Sequence, residues 1–119
     1  MKRAFFVIGL FLFLAMVLAG CGSARRGEPL TGAFEPQNEV AARGQLVFMK
    51  YCNQCHPKGE AGLGPSLNNK PLPGFLMKFQ VRNGLGAMPS FPPSHISDQE
   101  LDDLIAYLKA LRHHKAESR

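Results

Sequence analysis

Five consecutive residues, Cys52-Asn53-Gln54-Cys55-His56, bring together two thiols and an imidazole. Four chemistries use such a set. A plain disulfide would use the thiols and leave the adjacent His56 without a purpose. A Cys-x-x-Cys redox pair belongs in a βαβ context, and none flanks this run. A structural zinc site takes four ligands, with only His95, His113 and His114 left to complete one. The fourth chemistry is covalent haem. Two thiols at this spacing form thioethers with the two vinyl groups of one haem, and the following histidine reaches its iron. The spacing favours this reading: one haem c attached at Cys52 and Cys55, with His56 as a ligand to the metal.

The iron has a second face. Met49, Met77 and Met88 offer thioethers, and His95 offers an imidazole. A thioether is a soft ligand that favours ferrous iron and raises the reduction potential. Met49 lies three residues before Cys52. Met77 falls inside a predicted helix, where methionine also serves to fill gaps in a core. Met88 sits in Asn83-Gly84-Leu85-Gly86-Ala87-Met88-Pro89-Ser90-Phe91, where two glycines permit close approach and Pro89 stiffens the chain.

Three helices are predicted to position these groups. Val40, Gly44, Val47, Phe48, Tyr51, Cys52 and Cys55 recur at spacings of three and four, so a helix starts near Glu39, capped by Asn38. A second runs from Pro73 to Asn83, with Pro73 suited to an early position and Gly84 to a stop. The third opens on Ser97-Asp98-Gln99-Glu100, a capping box. It continues through Leu101, Leu104, Ile105, Leu108 and Leu111 to basic residues that complement the helix dipole. No segment alternates as a strand does. Stretches 57–72 and 85–96 are rich in Gly and Pro and read as loops. The expectation is an all-α fold, three or so short helices and long loops wrapped around one haem. So little helix buries itself poorly, and a large internal ligand would complete the core.

The chain has 119 residues, a formal charge of +5 and 45% apolar residues, which fits one domain. The apolar residues are unevenly spread. Lys2 and Arg3 precede an apolar run over 4–20, the pattern of a secretory signal peptide, with an uncleaved anchor as the alternative. Leu18-Ala19-Gly20-Cys21 resembles the bacterial lipobox, which implies cleavage before Cys21 and lipidation of that residue. Residues 1–20 thus read as a lipoprotein signal peptide and 21–38 as a lipidated cysteine and flexible tether, with packing of Leu30 and Phe34 on the domain as the alternative for part of it. The haem-binding domain then spans 39–112, with a C-terminal tail over 113–119. The mild basic excess has no concentrated stripe and does not point to nucleic acid.

Across residues 38–112 the chain resembles the class I (monohaem) c-type cytochromes. Besides the Cys-x-x-Cys-His run, Gly44 and Phe48 match the family's Gly and aromatic on the first helix. The run Asp103-Leu104-Ile105-Ala106-Tyr107-Leu108-Lys109 matches the last helix that crosses that Gly. Pro65-Ser66-Leu67 matches the Pro-x-Leu after the histidine, which implies that the Pro65 carbonyl accepts the Nδ1 proton of His56. The Met88-Pro89 loop matches the family's distal loop, which implies Met88 as the second axial ligand.

The resemblance further implies a monomeric electron carrier, not an enzyme. It would exchange single electrons with extracytoplasmic redox proteins from the periplasmic or extracytoplasmic side of a bacterial membrane. Two alternatives stand beside it: a haem sensor or small-ligand binder with a weak or absent Met88 bond, and a dedicated haem subunit of an oxidase or reductase complex. Arg82, Lys78, Asn83 and Tyr51 are candidate donors to the haem propionates.

Overall fold

The computed structural model describes residues 1–19, 34–69 and 72–117. Four α-helices carry the chain: α1 (Lys2–Ala19), α2 (Glu39–Tyr51), α3 (Gly74–Asn83) and α4 (Asp98–Glu117), with a short 3-10 turn at Pro57–Gly59. Among the described residues there is no strand, only an isolated bridge between Leu85 and Met88. The all-α fold expected from the sequence is therefore the fold observed. In α1, Phe5, Phe6, Phe11 and Phe13 are exposed. Among the described residues no helix is long and apolar enough to cross a membrane. Cys21 and residues 22–33 of the expected tether lie outside the described residues.

The start of α2 is set by Asn38, whose side chain accepts a hydrogen bond from the Ala41 amide at 2.9 Å. This satisfies one of the orphan donors of the first turn. The predicted apolar stripe holds at Gly44, Val47 and Phe48. One turn earlier the helix turns the small Ala41 inward and leaves Val40 exposed.

Gly44 explains how α2 and α4 meet. A Cβ there would run into the Asp103 carbonyl oxygen and lie 2.8 Å from the Tyr107 Cβ. Glycine within a helix costs about 1 kcal/mol relative to alanine, and here the missing side chain admits the backbone of α4. Beside the crossing, Arg43 forks onto Asp103, with Nε to Oδ2 at 2.8 Å and Nη2 to Oδ1 at 3.2 Å. Gln99 donates to the same carboxylate at 3.1 Å. The hydrogen bonds from Arg43 hold the Asp103 carboxyl below its usual range, against the opposing effect of burial.

The core is built from Phe48, Ile96, Leu104 and Leu111, all fully buried, with Val47, Val81, Leu101, Ile105, Tyr107 and Leu108 around them. The capping box forms as expected. The Ser97 amide donates to Glu100 Oε2 at 2.8 Å, and the Glu100 amide donates to Ser97 Oγ at 3.2 Å. Helix α4 continues past residue 112 to Glu117, so His113 and His114 are helical. The reason lies in Phe34. Its ring packs 5.2 Å from His114 and 5.7 Å from Tyr107, which gives the last turns of α4 an aromatic partner. A residue assigned to the tether from sequence is thus part of the packed domain.

Candidate functional site

Helix α2 ends where the thiol pair begins. The Cys52 amide still donates to the Phe48 carbonyl at 2.8 Å, and the Cys55 and His56 amides both donate to the Cys52 carbonyl, at 3.1 and 2.9 Å. The five residues therefore form one tight turn hung from the end of a helix. Both cysteines are free and half-buried. Burial, helped by the neighbouring Cys55, pushes the Cys52 thiol up to about 12. A reactive thiolate redox pair needs the opposite shift.

His56 is buried, and its Nδ1 lies 2.7 Å from the Pro65 carbonyl oxygen. A carbonyl only accepts, so Nδ1 carries the proton and Nε2 is the nitrogen left to bind a metal. The segment that presents Pro65 is tied down on both sides. The Gly64 amide donates to the Cys55 carbonyl at 2.9 Å, and the Leu67 and Asn68 amides donate to the Gly59 carbonyl at 2.8 and 3.0 Å. Ser66 Oγ donates to Asn68 Oδ1 at 2.6 Å in the interior. Gly64 itself packs against the imidazole. A Cβ at that position would meet Cε1 and come within 2.7 Å of Nδ1 and 2.8 Å of Nε2.

The second loop leaves α3 at Gly84, whose φ of 71° is open to glycine and strained for other residues. Leu85 and Met88 exchange backbone hydrogen bonds at 3.1 and 3.0 Å, which makes Met88 the closing residue of a tight turn. Its side chain packs, half-buried, against the same apolar cluster as Cys52 and Leu67. The Gln80 side-chain amide points a donor at its sulfur, 4.0 Å away. Of the rival ligands, Met77 packs against the cluster from within α3, while Met49 is exposed on α2. His95 is exposed, and its backbone carbonyl accepts the Tyr51 hydroxyl at 2.8 Å.

The residues offered as propionate donors are engaged with the protein. Besides Tyr51, Lys78 pairs with Asp102, and Asn83 donates to the Phe79 carbonyl at 2.8 Å. Arg82 donates to Phe91, Ile96 and Asp98. Sequence reasoning missed Gly64 and Gln80. Gly64 had a weak signal, its place directly before Pro65. Gln80 had none, because its role depends on a loop that folds back on it.

These residues fit a covalent haem. The thiols are free, the imidazole is oriented by its Nδ1, and a thioether closes a tight loop. Leu63, Leu72, Leu76 and Leu85, on the segments that carry or flank His56 and Met88, are exposed, as a chain that packs around a large apolar group leaves them.

Comparison with known proteins agrees. The family described as cytochrome C oxidase, cbb3-type, subunit III matches residues 39–108. The chain is 36% identical over 101 residues to the 4-cresol dehydrogenase (hydroxylating) cytochrome c subunit of Pseudomonas putida, covering 76% of this chain and 88% of that relative. It is 36% identical over 76 residues to cytochrome c6 of Gloeothece citriformis, covering 57% and 68%. Identity to cytochrome c6 of Bryopsis maxima is 33% over 75 residues, covering 55% and 84%. No solved structure gives a significant match.

Proposed function

This chain belongs to the c-type cytochrome family described as cbb3-type cytochrome c oxidase subunit III, and we propose that its haem is held by Cys52, Cys55, His56 and Met88. Members of the family are electron carriers with covalently attached haem c, and the haem supplies one-electron exchange at its iron. The protein's part is to hold and orient. Cys52 and Cys55 fix the group to the end of α2. His56 presents Nε2 because Pro65 holds the proton on Nδ1, which also makes the ring a stronger donor. Met88 offers sulfur from a loop whose turn is closed on itself.

The observation that carries this reading is the 2.7 Å bond between His56 and Pro65, with Gly64 packed on the ring. An imidazole fixed in tautomer and held in place is what a ligand to the iron would require. The test compares Met88→Ala with Met77→Ala. Met88→Ala removes the weak far-red absorption of ferric sulfur-ligated haem, lowers the potential and opens ferrous iron to carbon monoxide. Met77→Ala leaves all three nearly unchanged. The reverse pattern would reassign the ligand. Carbon monoxide binding by the unaltered reduced protein would favour the sensor reading.

We further propose that residues 1–20 are a lipoprotein signal peptide and that Cys21 carries the lipid. The domain then works on the extracytoplasmic side of a bacterial membrane, exchanging electrons with redox proteins there. The apolar run after Lys2 and Arg3 and the Leu-Ala-Gly-Cys sequence support this. A second reading, a dedicated haem subunit of a larger enzyme, is supported by the likeness to the cytochrome subunit of 4-cresol dehydrogenase over 88% of its length. Co-purification from membranes separates the two: a free shuttle comes away alone, a subunit with a stoichiometric partner.

A further inference from the structure

The loop over residues 84–96 leaves α3, carries Met88 and returns to α4. One side chain gathers its two ends. Arg82, in the last turn of α3, donates through Nη1 to the Phe91 carbonyl at 2.9 Å and the Ile96 carbonyl at 2.6 Å. Its Nη2 donates to Asp98 Oδ1 at 2.7 Å, in the first turn of α4. The Phe91 amide donates to the Val81 carbonyl at 2.9 Å, and Tyr51 holds the His95 carbonyl from α2. A loop of this length with its ends held together is an Ω-loop, and Arg82 spans its neck.

Only a guanidinium suits this position. Two carbonyls and a carboxylate are reached together by a planar fork of donors, whereas an ammonium on a flexible stem is a point charge. The Arg82 side chain is only 19% exposed. Its charge-assisted bonds are therefore better shielded from water than those of a surface ion pair. Asp98 is 89% exposed, so its share is the one that salt weakens.

We propose that Arg82 is a positioning residue that sets how often the Met88 sulfur leaves the iron. A loop closed at its neck opens as a unit, and the bonds of Arg82 must break for it to do so. Arg82 thereby decides which of two uses the site has, electron carrying with sulfur in place or capture of a small ligand with sulfur away. The proposal rests on Met88 as the distal ligand.

The test mixes ferric holoprotein with imidazole in a stopped-flow instrument. At saturating imidazole the rate of binding reaches a limit, the rate of loop opening. Arg82→Leu raises that limit by about tenfold or more, since two or more charge-assisted bonds are lost. Arg82→Lys keeps the charge, loses the fork and also raises the limit. Asp98→Asn raises it less, and added salt raises the limit of the unaltered protein more than that of Asp98→Asn. Arg43→Leu is the control: it breaks an ion pair of the same kind at the α2–α4 crossing, lowers the melting temperature and leaves the limit where it was.

A limit moved no further by Arg82→Leu than by Arg43→Leu overturns the proposal, as does an Arg82→Lys protein that opens no faster than the original. If Arg82→Leu fails to yield holoprotein, Arg82→Lys decides on the same criterion. Failure of the underlying ligand assignment has its own signature. The unaltered ferric protein then lacks the far-red sulfur–iron absorption and binds imidazole without a limiting rate, and the proposal falls with it.

Discussion

Replacing Gly64 by alanine adds one methyl group against the ring of His56. The backbone there does not have a positive φ, so the alanine introduces no conformational strain of its own. The effect is steric. Unstrained contacts between such atoms fall at about 3.5–4.0 Å, while the new carbon would lie 2.7 Å from Nδ1 and 2.8 Å from Nε2, with Cε1 closer still. Either the ring or the backbone of Gly64 must yield by roughly 1 Å. The ring resists because Nδ1 is bonded to Pro65, the next residue along the chain, and the backbone resists because the Gly64 amide is bonded to Cys55. Overpacking of this kind costs about 1–3 kcal/mol, and loss of the Nδ1 bond adds about 1 kcal/mol. The lower entropy of an unfolded alanine returns about 0.4–1 kcal/mol. The net destabilisation is about 1–3 kcal/mol, which for a domain of this size lowers the melting temperature by roughly 5–20 °C. Because the methyl acts on the ring, the reduction potential and the proton resonances of the His56 ring shift too. Paired melts followed by Soret absorption and far-ultraviolet circular dichroism, with a spectroelectrochemical titration, measure all of this. A Gly64→Ala protein with unchanged melting, potential and ring resonances refutes the packing argument.

Two further outcomes are expected. Asp103 has its carboxyl held low by Arg43, so its contribution to stability is complete above the ordinary aspartate value and is lost as pH falls below about 4 towards the folded value. Asp103→Asn removes that portion of the acid limb, so the stability difference between the two proteins shrinks on acidification, as read from urea midpoints across pH. Cys21→Ser releases the protein from the membrane fraction. Retention after a carbonate wash with residues 1–20 still attached would favour an uncleaved anchor.

What was legible in the sequence was local. Asn38, Ser97 with Glu100, and Gly84 act on atoms within four residues of themselves, so the helix ends fall where those residues put them. The thiol and imidazole run was legible for the same reason, since its chemistry is contiguous. What escaped was set across the fold. That Phe34 could pack on the domain was legible, but not its partners: its stack on Tyr107 and His114 joins positions 73 and 80 residues apart, and α4 runs beyond its expected end. The bonds of Arg82 were hidden because its sequence neighbours do not reveal that the loop returns two carbonyls to it. The bond from the Tyr51 hydroxyl to the His95 carbonyl was hidden for the same reason. At the start of α2 the stripe placed Val40 inward, whereas the structure buries the smaller Ala41 and leaves Val40 exposed.

The contact at Gly44 has a consequence for the speed of electron exchange. Iron that gains or loses an electron slows down whenever its ligands must move to suit the new charge. Of the two residues assigned to the iron, His56 follows the C-terminal end of α2, and Met88 lies on the loop that feeds the start of α4. Those helices touch backbone to side-chain root at Gly44. On the proposed assignment, the two residues that would hold the metal thus belong to one caliper, whose opening is set by the thickness of a residue without a side chain. A methyl group at that hinge would widen the gap at both jaws, and the loss would register as a larger reorganisation energy before any change in the ligands themselves.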